Sequence, residues 1–274
     1  MKSILVHLDA SPRAAVRLAA AQDLARHHDS EVTALYAVMP ALLSTPWVSG
    51  EAMAGAAALL ADVDRRQGER ARATFKQAAA RGSLAWAEAG GEMLLGAITH
   101  IALCNDLLVL GQRDASDPLT GAVPADLVPA LVVDSGKPAL VLPGVGSFPH
   151  IGRQPLLAWK PTLEAARAAA AALPWLRQAE RVHLACRAGH DESAQTHTAA
   201  LQHWLRLQGV LAPIELHSVG PGDAGEALLS LAADADADLL VMGCFGHSRA
   251  REWVLGGASR TVLETMTLPV LMAH

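Results

Sequence analysis

Asp238-Leu-Leu-Val-Met-Gly243-Cys-Phe-Gly246, nine further residues, then Gly256-Gly257-Ala258-Ser259 and a closing Leu268-Pro269-Val-Leu-Met-Ala-His274 read as strand, glycine loop, helix and strand. A short apolar run that ends in glycine suits a buried parallel strand, and a loop poor in side chains lets backbone N–H groups approach a ligand closely. A helix that starts at Gly257 adds its own unpaired N–H groups and the positive end of its dipole. Together these features describe an anion cradle, with phosphate as the natural occupant. Ligands of open parallel sheets sit beyond the carboxyl ends of the strands, where the strand order reverses, and the loop after Met242 lies at such an end.

The spacing narrows the choice. No Gly-Lys-Ser/Thr follows, so the loop is not a Walker A motif, and it lacks the six-residue dinucleotide fingerprint. Gly-x2-Gly-x9-Gly followed by a hydroxyl residue resembles the ATP-binding signature of the universal stress protein family. Gly257 stands where that family carries a hydroxyl side chain, but it keeps its backbone N–H, and Ser259 follows two residues on. The resemblance implies nucleotide contacts from Gly243, Gly246, His247, Gly256, Gly257, Ala258 and Ser259, joined by Ala158 and Lys160 at the end of an earlier strand. ATP or a related adenine nucleotide, with or without Mg2+, is the implied ligand. His247, Arg249, Arg251 and Arg260 could meet triphosphate charge, or form a solvated basic turn with Glu252. Trp253 and Leu255 fit core or interface, and Asp238 fits a turn better than a magnesium ligand.

The chain also repeats itself. Ile4-Leu-Val-His-Leu-Asp9 through Ala15 lies over Pro155-Leu-Leu-Ala-Trp-Lys160 through Ala166 without a gap. Gly91-Glu92-Met-Leu-Leu matches Gly225-Glu226-Ala-Leu-Leu, Asp106-Leu-Leu-Val-Leu-Gly111 matches Asp238-Leu-Leu-Val-Met-Gly243, and the closing strands match as well. Four blocks in the same order imply a duplicated domain, because the repeat is far longer than that of a solenoid. At 274 residues, two domains of about 140 residues could each bury a core. The expected organisation is a domain over 1–143, a Gly/Pro linker over 144–154 and a second domain over 155–274. Apolar runs alternate with helical stretches, the pattern of a parallel sheet covered on both faces. Strands are expected near 3–8, 31–38, 84–88, 106–110 and 139–142, then near 155–159, 181–186, 213–218, 238–242 and 269–273. The expected fold class is α/β, two tandem flavodoxin-like or Rossmann-like domains, each a five-stranded parallel sheet flanked by helices. The family resemblance implies that they pair through their last strands as a pseudo-dimer.

The two copies differ at the loop. The first has Gly111-Gln-Arg-Asp114, and its position matching Gly256 falls at or near Pro124. Asp114 and Asp117 would set negative charge beside a phosphate, and Pro124 removes a donor. This copy is therefore expected not to hold ATP in the family manner. The acidic residue that the family carries after its first strand is Asp9 here, whereas the second copy has Lys160.

Composition excludes several classes. A net charge of −5 with no long basic run argues against nonspecific nucleic-acid binding. The stretch from Met1 to Asp9 has about five apolar positions before a charge, too few for a signal peptide, and Ala52–Ala61 is about half a membrane span. Three cysteines, Cys104, Cys186 and Cys244, are too few and too odd in number for a disulfide framework. A cytoplasmic protein that binds neither membrane nor nucleic acid, and that self-associates, is the expectation. Trp47, Val48, Met53, Leu59 and Leu60, in an insertion spanning 41–68, are candidates for capping the first domain, for that apolar contact or for a lid. His183-x2-Cys186-x3-His190 lacks the four ligands that zinc prefers, and its strand setting sends His183 and Cys186 to opposite faces; no metal site and no catalytic residue is assigned. Three functions stay open. They are ligand-linked regulation through the second domain, a nucleotide-free interaction module, and slow ATP hydrolysis or autophosphorylation using Ser259 or Ser248.

Overall fold

A computed structural model of the chain describes residues 1–44, 52–91, 93–114, 122–187, 192–220, 222–245 and 257–274. It divides into two compact units, Met1–Lys137 and Pro138–His274.

In the first unit the order is β1 (Ser3–Leu8), α1 (Arg13–His28), β2 (Glu31–Ala37), α2 (Ala41–Ser44), α3 (Ala52–Ala79), β3 (Ala85–Ala89), α4 (Leu94–Ala102), β4 (Leu107–Gly111) and α5 (Leu127–Ser135). Its strands lie side by side as β3-β2-β1-β4, all parallel. Ile4, Val6, Leu8, Leu107, Leu108 and Val109 are buried on both faces of the sheet, which is why these strands are unbroken apolar runs and not alternating ones. The long helix α3 docks on the edge strand through aromatic rings. Phe75 meets Trp86 edge-on at 5.0 Å, and the Arg72 guanidinium lies 4.8 Å above the Trp86 ring.

The second unit contains β5 (Ala139–Leu142), β6 (Pro155–Trp159), α6 (Leu163–Ala171), α7 (Leu173–Leu176), β7 (Val182–Arg187), α8 (Glu192–Leu207), β8 (Ile214–Val219), α9 (Ala224–Asp234), β9 (Leu239–Gly243), α10 (Gly257–Thr265) and β10 (Val270–Ala273). The strands are ordered β5-β10-β9-β6-β7-β8. All are parallel except β5, which runs antiparallel to β10 with Val141 opposite Val270. All ten expected strands are present, each bound within two residues of its expected place. The closing strand of the first repeat, β5, groups with the second unit and pairs there with the closing strand of the second repeat.

Both repeats fasten their first strand in the same way. Asp106, just before β4, accepts the backbone N–H groups of Lys2 and Ser3 at 2.5 and 3.1 Å. Asp238, just before β9, accepts those of Arg153 and Gln154, both at 2.9 Å. The matched aspartates are therefore clamps at the amino ends of the sheets, the turn role expected for Asp238.

Candidate functional site

Strand β6 is flanked by β9 on one side and β7 on the other, so the chain changes direction across the sheet there. The register Leu157 opposite Val241 carries Trp159 and Gly243 to the same level at the carboxyl end. Ala158, Lys160 and Gly243 thus gather at the reversal point of the strand order, where α/β sheets hold their ligands. Lys160 is exposed and Ala158 half-buried. Glu164 follows in the first turn of α6; a hydrogen bond from its own backbone N–H, with the charge of Lys160 among the smaller contributions, holds its carboxyl below the usual range.

Gly243 has a structural task at this point. A Cβ there would stand 2.5 Å from Ala165 N and 2.5 Å from the Glu164 carbonyl carbon, so the missing side chain lets the start of α6 lie against β9. Beyond it, the Cys244 N–H is held by the Ala273 carbonyl at 2.9 Å and Phe245 adopts a left-handed φ of 58°. Burial pushes the Cys244 thiol well above its ordinary pKa, which makes it an inert packing group.

The chain is described again from Gly257, the first residue of α10 and the helix start expected from sequence. Because α10 leads back to β10 at the amino end of the sheet, its own amino end lies at the carboxyl end of the strands. A Cβ on Gly257 would meet nothing within 4 Å among the described residues. Ser259 is 4% exposed and shares the buried face of α10 with Val262, while Ala258 is half-buried. Arg260 points to the exposed face and pairs with Glu264 at 2.8 Å. The position of α10 is set from α9. Asp223 caps α9 by accepting from Gly225 N and Glu226 N, and its other oxygen accepts from Thr261 at 3.1 Å. A Cβ on Gly225 would stand 2.8 Å from the Ala258 carbonyl oxygen, so this repeated glycine serves helix packing.

Gly246, His247, Ser248, Arg249, Arg251, Glu252, Trp253, Leu255 and Gly256 lie outside the described residues, as do Asp117, His190, Trp47 and Val48. Trp159 escaped the sequence reading. Its Nε1 is buried and has no hydrogen-bond partner among the described residues. An aromatic residue ending a strand beside the loop was the available signal.

The first repeat is built differently at the matching place. Arg17 occupies the position where the second repeat has Ala168, and its guanidinium pairs with Asp9 at 2.7 Å while Nε donates to the His7 carbonyl. Asp9 also accepts from the backbone and hydroxyl of Ser11. Burial alone would raise the Asp9 pKa, but Arg17 and the Ser11 bonds outweigh it and hold the carboxyl far below the usual range. The Arg17 guanidinium comes so close to Gly111 that a Cβ there would lie 2.5 Å from Nη1. The helix after the loop, α5, begins behind Asp126 where α10 begins behind Gly256, so an acidic residue stands at the helix entrance. Leu59, in the insertion, is 71% exposed. Among the described residues no helix is long and apolar enough to cross a membrane.

Residues 162–274 match the model of the Universal stress protein family. A universal stress protein of Synechocystis sp. is 44% identical over 50 residues, a stretch that is 18% of this chain and 17% of that protein. Among solved structures, a universal stress protein from Archaeoglobus fulgidus superposes with a TM-score of 0.72 at 15% identity, over 99% of this chain and 95% of its own. A Pseudomonas aeruginosa protein assigned to the same family gives 0.59 at 18% identity, over 100% and 93%. At such identities the structural likeness is one of fold, and it spans both halves. Residues 162–274 thus carry the domain of the Universal stress protein family, and the solved structures extend the likeness of fold to the whole chain.

Proposed function

We propose that the second repeat binds ATP or a related adenine nucleotide and that binding regulates the protein's conformation or its choice of partner. The observation that carries this reading is the start of α10 at Gly257. It sets N–H groups that have no intrahelical partner at the carboxyl end of the sheet, where Gly243, Ala158 and Lys160 gather. Lys160 supplies the positive charge for a phosphate, and the unpartnered Trp159 Nε1 adds a donor facing no acceptor of the described chain. The nucleotide shifts the protein between states by the difference in its affinity for them. The first repeat serves as a structural or regulatory partner, because Arg17 and Asp9 already satisfy one another where a nucleoside would be met. Self-association and a cytoplasmic location complete the proposal.

The test is calorimetric titration of the full chain with ATP and magnesium, after a denatured portion has been checked for carried nucleotide. One saturable site is expected in the native protein, and none in Gly246→Leu or Gly256→Leu. Retained affinity in both variants, or no binding and no carried nucleotide, overturns the reading in favour of a nucleotide-free interaction module.

A further inference from the structure

The strand pair β7 and β8 carries a cluster of side chains at the far edge of the second sheet from β5. His183 stands opposite Glu215 in the register, and His217 follows Glu215 by two residues, so all three project from one face. Cys186 lies on the other face, where its sulfur accepts from Thr198 of α8 at 3.5 Å. His183 Nδ1 lies 3.0 Å from His217 Nε2 and 3.5 Å from Glu215 Oε2. Ligand atoms of the three residues all fall within 4.8 Å of one another.

We propose that His183, Glu215 and His217 form a binding site for a divalent transition-metal ion of the zinc class. Two donors about 2.0–2.1 Å from a tetrahedral ion stand about 3.3–3.4 Å apart, and the distances from His183 Nδ1, 3.0 Å to His217 and 3.5 Å to Glu215, bracket that spacing. A single proton between the two rings satisfies one pair of lone pairs and leaves the Glu215 oxygen at 3.5 Å, whereas one cation meets all three donors at once. Two imidazoles and one carboxylate match the borderline preference of zinc over magnesium or calcium. Arg181 holds the other Glu215 oxygen, which leaves the remaining one turned toward the rings, in the manner of an outer-shell partner. His183 is buried and fixed, and Glu215 is 43% exposed, so the ion enters from solvent and keeps a water in its fourth position. The sequence trio His183, Cys186 and His190 hides this site because the second histidine comes from the neighbouring strand.

The test uses the full chain, freed of metal with a chelator and titrated with zinc chloride in a calorimeter, then with cobalt(II) followed by visible absorption. One zinc per chain and the intense cobalt bands of a tetrahedral site are expected. His217→Ala should abolish both, and Glu215→Gln should weaken zinc binding at least about tenfold. Both variants should keep the circular dichroism of the metal-free native chain. If His217→Ala does not fold, Glu215→Gln alone decides, since undiminished affinity there overturns the proposal. Absence of a saturable zinc site in the native chain, or one that survives both substitutions, overturns it as well.

Discussion

Gly243 and Ala165 approach so closely that a Cβ on the glycine would stand 2.5 Å from the Ala165 nitrogen. The end of β9 and the beginning of α6 are in backbone contact at that point, and a backbone cannot move aside as a flexible side chain can. Gly257, by contrast, has no described atom within 4 Å of where its Cβ would be.

Gly243→Ala is therefore expected to destabilise the protein by about 1–3 kcal/mol through overpacking. Gly257→Ala should leave stability unchanged or raise it by up to about 1 kcal/mol, because alanine is the better helix former. Urea unfolding of the full chain followed by circular dichroism checks both. Equal midpoints for Gly243→Ala and the native chain would show that the close approach does not constrain β9. The pair of variants also separates a glycine needed for packing from one needed for ligand access.

Arg17 and Asp9 form a buried ion pair, their side chains 5% and 13% exposed. Removing one partner strands the other's charge, so Arg17→Met should cost about 3–5 kcal/mol, and adding Asp9→Asn to it should recover more than half. The Asp9 pKa is depressed on folding. Its contribution is thus complete above the unfolded value of about 3.9 and fades as pH falls below it toward the folded value. The stability gap between native protein and Asp9→Asn should stay level from neutral pH to about pH 5 and narrow in stronger acid. Unfolding midpoints measured across that range would show a flat or rising gap if the pair were not formed.

Asp238 accepts two backbone N–H groups at the amino end of β9, away from the glycine loop. Asp238→Ala leaves both donors without their partner and should cost about 1–3 kcal/mol. Affinity for ATP with magnesium should be the same as in the native chain. A stable variant that had lost magnesium dependence would assign the carboxylate to the metal instead of the turn.

Much of this was legible in the linear chain. Unbroken apolar runs such as Leu107–Leu110 and Leu239–Met242 mark strands buried on both faces, and glycine after each run marks the strand end. The repeated Asp-Leu-Leu-Val pattern records the same clamp made twice, and Gly257 marks the start of α10 because a glycine pair there interrupts the helical pattern. The roles of single glycines were not legible. In the sequence Gly243 reads as a ligand glycine and Gly225 as part of the repeat, and neither reading shows that the first makes room for the start of α6 and the second for α10.

Sequence by itself determined the α/β class, the duplication and the position of the loop, because those depend on local apolar period and on residues a few places apart. Tertiary structure alone decided that Arg17 answers Asp9, that Trp159 Nε1 is buried without a partner among the described residues, and that His183 meets Glu215 and His217. These relationships join residues on different elements, and parallel pairing brings together side chains more than 30 positions apart, as between His183 and His217. Local spacing holds no record of such register; packing of the sheet fixes it.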